Sequence, residues 1–105
     1  MLKINMEYRR GILFIRLKGE LTKFNYLDLI NYLTSIIRDK GIKYIVFNLS
    51  HLNLVDNYGK DAIRTILSET KRNKGSGLIC QTKINFEDRI RTIDSELSAM
   101  QILKV

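Results

Sequence analysis

At 105 residues the chain is long enough to bury one core and too short for two, so a single domain spanning 1–105 is expected. Apolar residues make up 45% and charged residues 28%, which excludes a disordered chain and a membrane-embedded one. The formal charge of +7 suits a polyanion, but 10 lysines, 15 isoleucines and 8 asparagines match the residue bias of an AT-rich genome, so charge alone assigns no nucleic-acid partner.

Met1 to Asn5 lack the apolar run of a signal peptide, and no stretch approaches the roughly 18 apolar residues of a membrane helix, so a cytoplasmic location is expected. Lys3 to Arg9 and Ile12 to Leu17 are rich in β-formers and flank Arg10-Gly11, the pattern of an antiparallel hairpin. From Tyr26 to Ile37, Tyr26, Leu29, Ile30, Leu33, Ile36 and Ile37 recur at helical spacing, with Asn25 as N-cap and Asp28 three residues on. Gly41 stops this helix, and the apolar run Tyr44-Ile45-Val46-Phe47 reads as a strand buried on both faces. Leu49 to Asn53 reads as a turn.

Asp56-Asn57 can cap a second helix from about Tyr58 to Arg72, with Ala62, Ile63, Ile66 and Leu67 on its inner side and Lys60, Arg64, Ser68 and Lys71 on its outer side. Lys71-Arg72-Asn73-Lys74, the compact basic group, falls at that helix's end, where cations complement the helix dipole. Gly75 and Gly77 follow, then a strand from Gly77 to Thr82, a third helix from Asn85 to about Ile93 and a last strand from Met100 to Val105. The order β-β-α-β-α-β-α-β implies an α/β fold with a mixed sheet, βαβ crossovers and about three helices.

Catalytic signatures are missing. No G-x-x-x-x-G-K-[ST] loop, G-x-G-x-x-G fingerprint or G-x-S-x-G elbow is present, and the carboxylates form no paired acid and base. The lone His51 and the lone Cys80 cannot assemble a common zinc site, and Cys80 within Leu78-Ile79-Cys80 reads as a buried structural thiol. These features point to a protein without catalytic residues, cofactor or metal.

Asp56-Asn57-Tyr58-Gly59, placed after a buried strand and opening a helix, resembles the D-x-x-G loop of the STAS domain of bacterial anti-sigma factor antagonists. Gly19-Glu20-Leu21 resembles that family's G-E-L turn, and Ile45 to Leu49 with Leu52 to Asp56 resembles its third strand and following loop. With Gly75 to Cys80 the likeness covers nearly the whole chain and stops before the C-terminal helix that many members carry. The resemblance implies a transcription regulator that binds an anti-sigma factor, often a serine kinase, and so frees a sigma factor. Phosphorylation of a Ser or Thr in the loop reverses binding in that family.

Here the phosphoacceptor position is Tyr58, and Asn57 before it has no hydroxyl either. A phenol reaches several ångströms further than a serine hydroxyl, so a kinase aligned for serine misplaces the attacking oxygen. The resemblance implies a partner surface that includes Asn53, Tyr58, Lys60, Asp61 and Arg64. Thr22, where the family often carries an acid, is a second departure. The expected function is therefore a protein-binding regulator without standard serine phosphorylation. The rival expectations are a STAS subunit or regulator of a transporter ATPase or a stress-signalling complex, and, with less support, a basic nucleic-acid-binding domain.

Overall fold

A computed structural model describes residues 1–86 and 91–103. Strands β1 (Lys3–Arg9) and β2 (Ile12–Leu21) form the expected hairpin, and at its turn Arg10 and Gly11 both take positive φ, 54° and 79°, as a tight two-residue hairpin turn requires. Helix α1 (Tyr26–Lys40), strand β3 (Tyr44–Val55), helix α2 (Asn57–Glu69), a 3-10 turn (Thr70–Asn73) and strand β4 (Ser76–Cys80) follow. The chain continues into a two-residue strand, β5 (Thr92–Ile93), and helix α3 (Glu96–Leu103).

The five strands lie in sequence order, with β1 antiparallel to β2 and the β2–β3, β3–β4 and β4–β5 pairs parallel. Alternation along β2 splits the core between the two faces of the sheet. Leu13, Ile15 and Leu17 pack with Ile45 and Phe47 of β3, Leu29, Leu33 and Ile37 of α1, and Ile63 and Ile66 of α2. Ile12 and Phe14 pack on the other face with Val46, Leu78, Cys80 and Ala99 of α3.

Three expectations need correction and a fourth holds in part. Leu49 to Asn53 is no turn: β3 runs through it to Val55, with its register against β2 shifting between Arg16 and Lys18, and His51 is an exposed strand residue opposite Lys18. Asn25 is the N-cap residue of α1, its carbonyl accepting from the Leu29 amide at 3.2 Å, but its side chain makes no capping bond: it accepts from the Thr22 amide and donates to the Glu20 carbonyl, both at 2.9 Å, closing the preceding turn. The helix expected from Asn85 to Ile93 is replaced at its end by β5, and residues 87–90 lie outside the described residues. Finally, Met100 to Leu103 is helical, so the C-terminal helix thought to be missing is present as α3, and the expected strand end at Lys104 and Val105 lies outside the described residues.

The reason for that last reversal is tertiary. Ser95 opens α3, its hydroxyl oxygen accepting from the Ser98 amide at 3.1 Å, and Glu96 then reaches Arg16 of β2 with two bonds of 2.8 Å. Asn48 donates to the same carboxylate at 2.9 Å, while Arg16 also donates to Glu7 at 2.9 Å. The bonds Arg16 donates to Glu96 and Glu7 push its guanidinium pKa further up, and the bond from Arg16 holds the Glu96 carboxyl below its usual value despite burial.

Candidate functional site

The D-x-x-G loop lies where β3 ends and α2 begins. Asp56 is the N-cap of α2, with extended backbone, and its carboxylate accepts from the amide of Gly59 at 2.9 Å. The other carboxylate oxygen accepts from the amide of Lys23 at 2.9 Å, across in the turn between β2 and α1. The Asp56 amide donates to the Leu21 carbonyl at 3.3 Å, so one residue ties the two βα connections together. Partial desolvation pushes the Asp56 carboxyl up, but amide bonds from Gly59, Lys23 and Tyr58 and the charge of Lys23 outweigh it and hold the group below its usual value.

Gly59 explains the last letter of the motif. It is buried, and a Cβ there would collide with the Leu21 carbonyl oxygen and crowd a methyl of Val55. The first turn of α2 therefore rests directly on the end of β2, and only glycine permits that approach.

Asn57 and Tyr58, between these two fixed points, face outward. Tyr58 is 50% exposed, and its ring sits 5.1 Å from that of Tyr26 at an interplanar angle of 48°, a tilted aromatic pair joining the first residues of α1 to those of α2. Close to this pair in the chain, Phe24 (85% exposed) and Leu54 (52% exposed) leave apolar surface uncovered on the β2–α1 turn and the last residues of β3. Asn53 is exposed beside Leu54.

One turn into α2, Lys60 is half-buried and Asp61 exposed. Asp61 accepts from Arg64 at 2.7 Å, and the Arg64 guanidinium lies 5.9 Å from the Phe86 ring centroid, so Arg64 is directed toward the chain beyond β4. The structure thus gathers Asn53, Asp56, Asn57, Tyr58 and Gly59 at one rim and sets Asp61 and Arg64 as an ion pair further along. Sequence reasoning missed Lys23, Phe24 and Tyr26, while Leu54 falls within the loop Asn53 to Tyr58 that the resemblance implied. Tyr26 was visible only as an apolar helix position, and Lys23 contributes a backbone amide that no side-chain pattern signals. Among the described residues, no three His, Cys, Asp or Glu side chains are grouped to hold a metal ion, and no helix is long and apolar enough to cross a membrane.

The family model of the STAS domain matches residues 3–97. This chain belongs to the STAS family. Its fold is similar to that of the anti-sigma factor antagonist SpoIIAA in its unphosphorylated form, at 18% identity and a TM-score of 0.80, over 97% of this chain and 98% of that one. The Bacillus cell fate determinant SpoIIAA in the phosphorylated form is similar at 17% identity and a TM-score of 0.77, over 95% and 98% of the two chains. An anti-sigma factor antagonist from Mycobacterium paratuberculosis matches at 11% identity and a TM-score of 0.81, over 100% of this chain and 96% of that chain. At these identities the likeness establishes a shared fold, and the STAS domain here resembles the antagonists in architecture.

Proposed function

We propose that this STAS domain is a non-enzymatic, protein-binding regulator of the anti-sigma factor antagonist type, which engages an anti-sigma factor or serine kinase through the rim around Asp56 and thereby releases a sigma factor. The observation that carries this reading is the pairing of a fixed loop with an uncovered apolar rim. Asp56 and Gly59 hold the backbone in place, while Tyr58, Phe24 and Leu54 offer the aromatic and aliphatic surface from which interface anchors are made.

Control by serine phosphorylation is absent from this loop in the proposed mechanism. The position holds a phenol tilted against Tyr26, and the hydroxyls of the same helix, Thr65 and Ser68, lie about two turns or more further in, with Ser68 donating to the Thr65 carbonyl at 2.7 Å. Binding would then be set by the amounts of the partners. Alternatively, the same missing hydroxyl suits a constitutive subunit or regulator of a transporter ATPase or a stress-signalling complex.

One experiment separates these readings. Wild type and Tyr58→Ser are used to capture partners from native lysate, and the intact mass of each recovered bait is measured. An identified anti-sigma factor or serine kinase, with phosphate appearing only on Tyr58→Ser, is the expected result. Ready phosphorylation of the wild-type loop would sink the claim of lost phosphocontrol, and recovery of a transporter ATPase in place of the kinase would establish the alternative.

A further inference from the structure

The end of the molecule opposite the Asp56 loop has a different electrostatic character. Three connections meet there, at the N-terminal ends of β3 and β4. The Ser76 amide donates to the Lys43 carbonyl at 2.9 Å, and a Cβ on Gly75 would collide with that same carbonyl oxygen, so the α1–β3 loop and the loop entering β4 run in contact. Asn73 fastens them by donating to the carbonyls of Ile42 at 2.8 Å and Ile37 at 3.3 Å. The hairpin turn at Arg10 lies one strand over, because Ile12 pairs with Tyr44.

The end of α1 and the loop after it bring Arg38, Lys40 and Lys43, the 3-10 turn and the loop after it bring Lys71, Arg72 and Lys74, and the hairpin turn adds Arg10. The carboxylates on these segments are Asp39 and Glu69. Glu69 is only 8% exposed and is enclosed by Arg38 at 2.9 Å and Arg72 at 3.7 Å, so it neutralises cations from beneath and offers nothing to solvent. Seven cations against two carboxylates leave a surplus of five positive charges at this end, most of the chain's net charge of +7. Residue bias alone would scatter them, yet segments 18–28 and 53–64 at the Asp56 end carry four cations and four carboxylates. Helix dipoles account for cations in the last turn of α1 and in the 3-10 turn, whereas Arg10 and Lys43 stand outside any helix.

We infer that this basic end is a membrane-adsorbing surface that takes the headgroups of anionic phospholipids. The three connections themselves bear no exposed aromatic or large aliphatic side chain, and the nearest, Tyr8 (60% exposed) on edge strand β1, is a single ring, short of the row of rings that stacks bases or the apolar cluster that anchors a protein interface. The connections present helix ends and the tip of a hairpin whose β2 is held in the sheet by β3, so among the described residues no separate helix flank or ribbon projects there to enter a nucleic-acid groove. A cluster of lysines and arginines with no apolar anchor among them is suited to a plane of negative charge, where each cation near the surface strengthens adsorption and salt weakens it. Adsorbed this way, the domain holds the Asp56 rim away from the bilayer, open to a protein partner.

Vesicle co-sedimentation of the full chain tests this. Phosphatidylcholine vesicles are used with and without about 40% phosphatidylglycerol, at about 50 mM and about 500 mM NaCl. Adsorption is expected only on anionic vesicles at low salt. Lys40→Gln/Lys43→Gln/Lys71→Gln changes three exposed side chains and should weaken it by roughly fivefold per charge, about a hundredfold in all, with an unchanged thermal melt. Lys3→Gln/Lys18→Gln/Lys83→Gln removes the same net charge elsewhere and should keep adsorption within about threefold of wild type. Equal binding to neutral vesicles, equal losses in the two triple variants, or tighter binding to a DNA duplex at matched phosphate concentration overturns the inference.

Discussion

The two faces of the sheet are held by different physics. Beneath α1 and α2 the core is a continuous apolar layer in which Leu33, Ile37, Phe47 and Ile63 are fully buried, so the attraction is non-directional and tolerant of small shifts. Beneath α3 the apolar cluster is smaller, and the helix is positioned by the Arg16, Glu96, Glu7 and Asn48 network. One face is bound by area and the other by registered polar contacts, which loosen when one partner changes.

The largest effect that would break this contrast lies on the apolar face. Phe47→Ala should cost about 3–5 kcal/mol of unfolding free energy, read from denaturant melts, because the surrounding layer cannot collapse into the space. Gly59→Ala should cost about 1–3 kcal/mol by forcing the start of α2 off the Leu21 carbonyl. Both losses should appear as one cooperative transition, since α1, α2 and the sheet share that layer.

On the other face, Glu96→Gln should cost about 1–2 kcal/mol, a charged hydrogen-bond network discounted for its partial exposure. Its signature is local: amides of α3 should lose hydrogen-exchange protection while those of α1 keep theirs. Cys80, buried under α3 with its thiol pushed up to about 11 by burial and then by the charge of Glu96, should react faster with a thiol reagent in the variant. The pH dependence has a definite sign. The folded-state value of Glu96 is depressed, so its contribution is full above the unfolded carboxyl value of 4.5 and disappears as pH falls through the lower folded value. The stability gap between wild type and Glu96→Gln should close over that acid range. If the gap persists in acid, the charged network does not position α3.

The smallest expected stability change is at the rim. Tyr58→Ala removes a half-exposed ring and should shift stability by roughly 0.5–1 kcal/mol, most of it from the Tyr26 pair, while a marked loss of partner binding would set recognition apart from folding.

The same contrast governs what the sequence disclosed. Leu29, Leu33 and Ile37, or Ala62, Ile63 and Ile66, repeat at the helical period because a broad apolar layer imposes that period, so α1 and α2 were legible. Met100 to Leu103 has an apolar spacing that a strand could equally carry, and its helical state depends on Arg16, 80 residues from Glu96. The local clue was Ser95, a helix-starting hydroxyl followed by Glu96. At the rim, Asp56 was legible as a cap because capping follows from the backbone of a helix start, whereas the close approach at Gly59 depends on α2 resting on the end of β2. The Lys23 amide and the exposed Phe24 became visible only when the end of β2 was placed beside α2.

The double role of the Asp56 carboxylate has a mechanical consequence. With one oxygen on Gly59 and the other on Lys23, the two connections cannot sway independently, and the Tyr26–Tyr58 ring pair joins their helices a second time. A partner binding at this rim, as proposed, would meet a surface already near its final shape and surrender little conformational freedom on contact. Cutting the carboxylate tie with Asp56→Asn would leave the contact chemistry almost unaltered, yet it should slow productive association by making each encounter wait for two loops to agree.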